Sequence, residues 1–335
     1  MRRTLALFKF VVVVSSFIAF STQAEPVPSG ETREAQALLR TIQSAAQKLN
    51  YSGTFIYQQG SQVRTSRITH LAEGRNELEK LEVLDGQPRE YIRSNDEIIC
   101  YVPDTKTLLV EKRVAQDVFP AIIAANADSL AEHYVIRKGE SGRIAGFDCQ
   151  SVILHPKDDL RYGYRLWAEK STGLLLRAQT VDEAGNIVEQ ISFTQLTIGN
   201  VDRNKVKPSF TNTRGWRVEN AVMTQADLSN WNVTRLPPGF RRTRELKRMV
   251  SDTPVQTGTV PAQREVSQIV YSDGLAAISI FIEPGTQSRT EGSLQQGAMN
   301  VVGKRQGEFW LTIVGEVPLT AIRQVANSIE YKPTK

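Results

Sequence analysis

The sequence predicts an α+β protein that is mostly antiparallel β, and three observations carry that reading. From Tyr51 to Ile198, segments rich in branched and aromatic residues alternate apolar and polar side chains, the period that sends successive side chains to opposite faces of a strand. Turn signals separate them at spacings of roughly 8–12 residues, with little helix between, which favours one antiparallel sheet or barrel over βαβ units. A second, shorter run of strands follows and ends in a helix.

Taken in order, the first 24 residues are expected to be an export address. Arg2, Arg3 and Lys9 precede a mostly apolar stretch from Val11 to Phe20, and Thr22-Gln23-Ala24 supplies small residues for cleavage before Glu25. No cysteine follows the apolar run, so a lipid-anchored N-terminus is not expected, and no later window is apolar enough to cross a bilayer. The chain holds 41 basic and 36 acidic residues. Three of the basic residues and none of the acidic ones fall in the address, leaving 38 against 36. A net charge of +2 gives no support for nucleic-acid binding.

Glu31 to Leu49 has Leu38, Ile42, Ala45 and Leu49 at helical spacing and predicts an amphipathic helix packed on the sheet. The strands then include Thr54 to Tyr57, Glu97 to Val102, Thr107 to Val110, Tyr162 to Trp167 and Ile191 to Phe193. Asp85-Gly86, Pro103-Asp104, Ser141-Gly142, Ser171-Thr172-Gly173 and Ala184-Gly185-Asn186 are read as turns. A second helical insertion, Val118 to Tyr134, is either core or a movable lid. A large curved sheet with so few helices leaves part of its concave side for an apolar ligand. Cys100 and Cys149 both fall in strands, and in an oxidising compartment they can pair, a link worth roughly 4 kcal/mol in the chain-entropy model. Buried free thiols are the alternative; a redox pair lacks the Cys-x-x-Cys spacing.

Near Gly199 the strand rhythm weakens, and residues 205–225 are expected to tether a first domain (25–204) to a second (226–335). In the second, Val266 to Tyr271 and Leu275 to Glu283 flank Ser272-Asp273-Gly274, a hairpin signal because the turn needs positive φ. Ala298 to Val302 and Phe309 to Val314 continue the sheet. Pro318 opens a helix whose apolar stripe is Leu319, Ile322, Val325, Ala326 and Ile329.

Catalytic signatures are missing. His70, His133 and His155 lie apart, and no metalloprotease, nucleophile-elbow or phosphate-loop pattern occurs. Glu132-His133 and Asp158-Asp159 are read as solvated polar groups. No cofactor or metal is expected, and a binding protein is favoured over an enzyme. The basic run Arg241, Arg242, Arg244, Lys247 and Arg248, interrupted by Glu245, suits acidic lipid headgroups or an acidic partner, or else a charged edge strand that blocks aggregation.

Three C-terminal stretches resemble the MucB/RseB family: Trp231-Asn232-Val233-Thr234-Arg235-Leu236-Pro237-Pro238-Gly239-Phe240, Val270 to Glu283, and Val314-Gly315-Glu316-Val317-Pro318. Tyr51 to Tyr57, Leu84 to Glu90 and Tyr162 to Trp167 extend the resemblance over nearly the whole exported chain. It implies an N-terminal domain like the lipoprotein carriers LolA and LolB, an unclosed β-barrel with helices at its mouth, joined to a smaller C-terminal domain. It further implies a periplasmic negative regulator of sigma-E signalling. Such a protein binds the periplasmic segment of a single-pass anti-sigma factor, shields it from a membrane protease, and is released by lipopolysaccharide or another acyl lipid. A lipid or lipoprotein carrier is the alternative, and a homo-oligomer is compatible with either. For the partner surface the candidates are Arg241, Arg242, Asp273, Gly274 and Leu275. For a lipid cavity they are Phe55, Tyr57, Tyr101, Phe119, Ile122 and Trp167.

Overall fold

A computed structural model of the 335-residue chain describes residues 30–74, 76–112, 127–221, 223–251, 263–285 and 289–333. The export address, Phe119, Ile122 and most of the expected 118–134 helix lie outside the described residues. Among those described, no helix is long and apolar enough to cross a membrane.

Helix α1 (Gly30–Lys48) buries Ala35, Leu39, Ile42, Ala45 and Ala46, one stripe at spacings of three and four. Leu39 rather than Leu38 sits at the centre of that stripe, and Leu38 packs at its margin.

The large sheet contains β1 (Tyr51–Gln59), β2 (Gln62–Glu73), β3 (Asn76–Val83), β4 (Arg89–Ser94), β5 (Glu97–Val102) and β6 (Thr107–Lys112). After helix α2 (Ala127–His133) come β7 (Tyr134–Ile144), β8 (Phe147–Pro156), β9 (Gly163–Glu169), β10 (Leu175–Val181), β11 (Ile187–Ile198) and β12 (Arg217–Ala221). Their spatial order is β12-β6-β5-β4-β3-β2-β1-β11-β10-β9-β8-β7. Two meanders are thus zipped together by β1 against β11, with Tyr51 opposite Ile198, and the sheet stays open between β12 and β7. All pairs are antiparallel except β12 with β6. Helix α1 packs on the β7–β10 end, where Val152, Leu154, Leu166, Ala168 and Leu175 meet Ala35 and Leu39.

Ser141-Gly142, expected as a turn, instead lies inside β7 beside a register shift. The reversal falls at Ala145-Gly146, both at positive φ, the conformation that a tight two-residue hairpin demands. The other four turn signals fall between strands.

The smaller sheet is built from β13 (Met223–Gln225), β15 (Arg241–Ser251), β16 (Gln263–Ser272), β17 (Ala277–Pro284), β18 (Gly292–Gln296), β19 (Met299–Gln306) and β20 (Phe309–Gly315). A two-stranded ribbon, β14 (Trp231–Val233) with β21 (Ile329–Tyr331), flanks it. Helix α3 (Leu319–Ala326) presses Ala321, Ile322, Val325 and Ala326 onto Ile278, Ile280, Leu311 and Ile313.

The 205–225 stretch is anchored along its length. The Lys80 ammonium donates to the carbonyl of Lys207 and the hydroxyl of Ser209, and the Ser209 N–H donates to Glu90, all within 3.1 Å. Phe210 and Trp216 pack on Tyr101. Its C-terminal part then joins the large sheet as β12 and, directly after, the small sheet as β13.

Candidate functional site

The two sheets meet at a buried seam, and the hairpin expected to face a partner is part of it. The turn between β16 and β17 puts Asp273 and Leu275 against the N-terminal half, so both are buried. This corrects the assignment of Asp273 and Leu275 to the partner surface; Gly274 between them is half-buried. The turn chemistry itself is as expected: Gly274 adopts φ +97°, and Asp273 Oδ1 accepts the N–H groups of Leu275 and Ala276 at 2.9 Å each.

Asp273 Oδ2 crosses the seam. It accepts from Arg161 Nη1 at 2.8 Å and from the Tyr134 hydroxyl at 3.1 Å. Both side chains of the ion pair are 0% exposed. Arg161, in the β8–β9 loop, also donates to Asp158 at 3.0 Å and to the carbonyl of Pro238 at 2.6 Å. Its guanidinium lies over the rings of Tyr134 and Phe240, 5.4 and 5.7 Å from their centroids. Every polar atom of the carboxylate therefore has partners, which buried charges require. Burial first, and the Asp273 carboxylate second, push the Tyr134 phenol well above its usual range, so it remains a hydrogen-bond donor.

Apolar interlocking reinforces this pair. Leu275 joins the core of the N-terminal half, beside Leu130, Tyr134 and Leu166, and Leu160 packs against the core of the C-terminal half. Tyr162 accepts from Asn300 Nδ2 at 3.1 Å. Gly239, at φ +82°, passes so close to His133 that a Cβ would stand 2.1 Å from its Nε2.

A second polar contact lies at the other end of the seam. Tyr57 donates to Glu189, which also accepts from the Ala298 N–H and the Gln59 side chain. Burial first, and the Glu316 charge second, push the Glu189 carboxyl up to about 7. Burial pushes the Glu316 carboxyl up as well, but Glu316 stands at the exposed surface, whereas Glu189 is half-buried. The folded-state value lies above the ordinary 4.5, so this group's contribution to stability is complete below that value and is lost as pH rises through about 7. Moving from about pH 5 to about pH 8 is expected to cost about 1–2 kcal/mol, allowing for the solvent around the half-buried side chain. Glu189→Gln should flatten that dependence in urea titrations, and an unchanged slope would rule this group out.

The remaining candidates separate. Phe55, Tyr57 and Trp167 belong to one apolar cluster with Tyr51, Ile68 and Phe193. Phe55 and Trp167 are buried there, and only Tyr57 is half-exposed, so the group reads as packed core. Tyr101 is a correction: it projects from the opposite face and packs with Phe210 and Trp216. The Cys100–Cys149 bridge is likewise a correction. Both thiols are free and buried, and seven strands separate β5 from β8 in the sheet order. Arg241 is exposed, whereas Arg242 is tied to Glu245 at 3.0 Å and to the carbonyl of Leu228 at 2.9 Å. Lys247 pairs with Glu265, and Arg248 covers the Phe281 ring. Strand β15 is an edge only beyond the three residues that β13 covers.

The one group of potential metal ligands among the described residues, His70, Glu77 and Glu79, is already bridged by a cation, because Arg93 bonds both carboxylates. This is an ion-pair network beneath β1. The interdomain arrangement was missed from sequence because Arg161 lies in an unremarkable loop; Pro237-Pro238-Gly239 was the nearest signal.

Residues 34–210 match the MucB/RseB N-terminal domain and residues 225–330 the MucB/RseB C-terminal domain. The sigma factor AlgU regulatory protein MucB of Pseudomonas aeruginosa is 30% identical over 90% of this chain and 93% of its own length. The sigma-E factor regulatory protein RseB of Escherichia coli K12 is 25% identical over 95% and 96%. MucB crystallised in complex with MucA(peri) superposes with a TM-score of 0.67 at 28% identity, over 90% of this chain and all of that one. Both halves are therefore covered by the two domain models of one family, and the chain belongs to the MucB/RseB family.

Proposed function

We propose that this protein is a periplasmic negative regulator of a sigma-E-type stress response. It binds the periplasmic segment of a membrane anti-sigma factor and shields it from regulated proteolysis, as a binding protein rather than an enzyme. The carrying observation is the match over 90% of the chain to MucB in its complex with MucA(peri). Lipopolysaccharide or another acyl lipid is the releasing signal in this reading. A ligand moves an equilibrium only through unequal affinity for two states, so release requires a second arrangement of the two halves about the 205–225 stretch. The seam suits such an element, because Asp273 Oδ2 and the Pro238 carbonyl meet the Arg161 guanidinium only when the halves come together.

Protease protection tests the shield directly. With the anti-sigma factor of the same organism in vesicles, stoichiometric protein is expected to slow its periplasmic cleavage at least about tenfold, the effect of leaving less than a tenth of the segment free. An unchanged cleavage rate at saturating protein would remove the shielding role.

A further inference from the structure

Sheet edges expose unpaired N–H and C=O groups, and proteins blunt them with charge, bulges, cover or brevity. The edges described here follow that rule with one exception. Strand β7 carries Arg137, Lys138 and Arg143, bears a register shift and is tied to α1 through Lys138 and Glu34. Strand β12 carries Arg217 and Glu219, β13 has three residues, and the uncovered start of β15 is basic and irregular between Arg242 and Arg244. Strand β18 has the sequence Gly292-Ser293-Leu294-Gln295-Gln296, with no charge, no proline and no register shift. All five residues are exposed, and Leu294, at 66%, is the most exposed large apolar side chain among the described residues.

Its backbone is prepared for another strand. Gln296 faces Met299 across a two-residue turn, which makes Gln296, Leu294 and Gly292 the positions bonded to β19. The N–H and C=O groups of Ser293 and Gln295 therefore point away from the sheet. Beside them, between β18 and α3, runs a groove lined by Gly292, Ser293, Lys304, Arg305, Arg323 and Glu291. Lys304 is held by the carbonyl of Ala326 at 2.8 Å, and Glu291 accepts the Arg305 N–H at 2.6 Å. Arg323 is exposed and forms no ion pair among the described residues. Arg305 lines the groove with its backbone and turns its guanidinium to the opposite face, beside Gly285, so two cations, Lys304 and Arg323, face one carboxylate.

We propose that β18 is a docking edge for an extended acidic peptide, which joins the seven-stranded sheet as its next strand and sets carboxylates against Arg323 and Lys304. A second copy of this chain fits less well, because edge-to-edge pairing would bring two such basic grooves together. The inference goes beyond the regulator reading and stands or falls separately, since its probe is a synthetic strand.

The experiment is amide exchange on the full chain with an eight-residue acetylated peptide alternating valine and glutamate. The Ser293 and Gln295 amides should slow at least about fivefold, with other edges unchanged. Ser293→Pro removes an outward N–H while sparing the bonds to β19, so the variant should fold, keep its melting temperature within about 3 °C, and lose the peptide. Arg323→Glu should weaken binding about tenfold. Protection elsewhere, full binding by Ser293→Pro, or equal binding of a valine–glutamine peptide would overturn the proposal. So would β18 protection that grows with protein concentration alone, which would mark a second copy as the occupant.

Discussion

Asp273→Ala is expected to destabilise the protein by about 3–4 kcal/mol, more than any other single change on the seam. The carboxylate accepts four hydrogen bonds, from Arg161, Tyr134 and the N–H groups of Leu275 and Ala276. Its loss strands a guanidinium whose side chain has no exposure to water, with Asp158 as the remaining acidic partner. Because that partner survives, the cost falls short of a fully orphaned charge. Urea unfolding monitored by tryptophan fluorescence should show a lower midpoint and, with the halves uncoupled, two transitions in place of one. The double change Arg161→Met with Asp273→Leu should recover most of the loss, since apolar groups of similar volume replace a buried pair at little cost. A loss below about 1 kcal/mol for Asp273→Ala would mean that the seam is held by its apolar contacts alone.

Gly239→Ala should cost about 2–4 kcal/mol for a different reason. The position combines φ +82° with a virtual Cβ 2.1 Å from the His133 ring. An L-residue pays about 1 kcal/mol for that conformation, and the overlap adds repacking on top. The two parts are separable. In a His133→Ala background the overlap disappears while the backbone strain stays, so the same glycine change should then cost only about 1 kcal/mol. Equal costs in the two backgrounds would contradict the close approach.

Local chemistry was legible in the sequence, and destinations were not. Asp273-Gly274 announced a hairpin because positive φ and side-chain-to-backbone bonding are properties of four consecutive residues. Nothing in those residues says that the turn will be buried against Arg161, more than a hundred positions earlier. Period-two patterning likewise located Tyr101 in a strand but could not choose its face; Phe210 and Trp216, supplied by the expected tether, decide that. The tether itself looked loose because its residues are polar, yet Ser209 and the backbone of Lys207 are polar groups used by Lys80 and Glu90. Two cysteines in strands suggested a bridge, but strand order, which separates β5 from β8, is a long-range property. Asymmetric exposure made the apolar candidates ambiguous: Phe55 and Trp167 have the composition of a cavity wall and the burial of a core.

Calorimetric titration of the periplasmic segment of the organism's own anti-sigma factor into the purified protein, with and without lipopolysaccharide, tests the central claim most directly. The expected result is saturable binding without lipid and an affinity about tenfold or more weaker with it, equivalent to a coupling of about 1.4 kcal/mol between the two ligands. Binding indifferent to lipid would contradict lipid-gated release, and no binding in either condition would contradict the regulator itself.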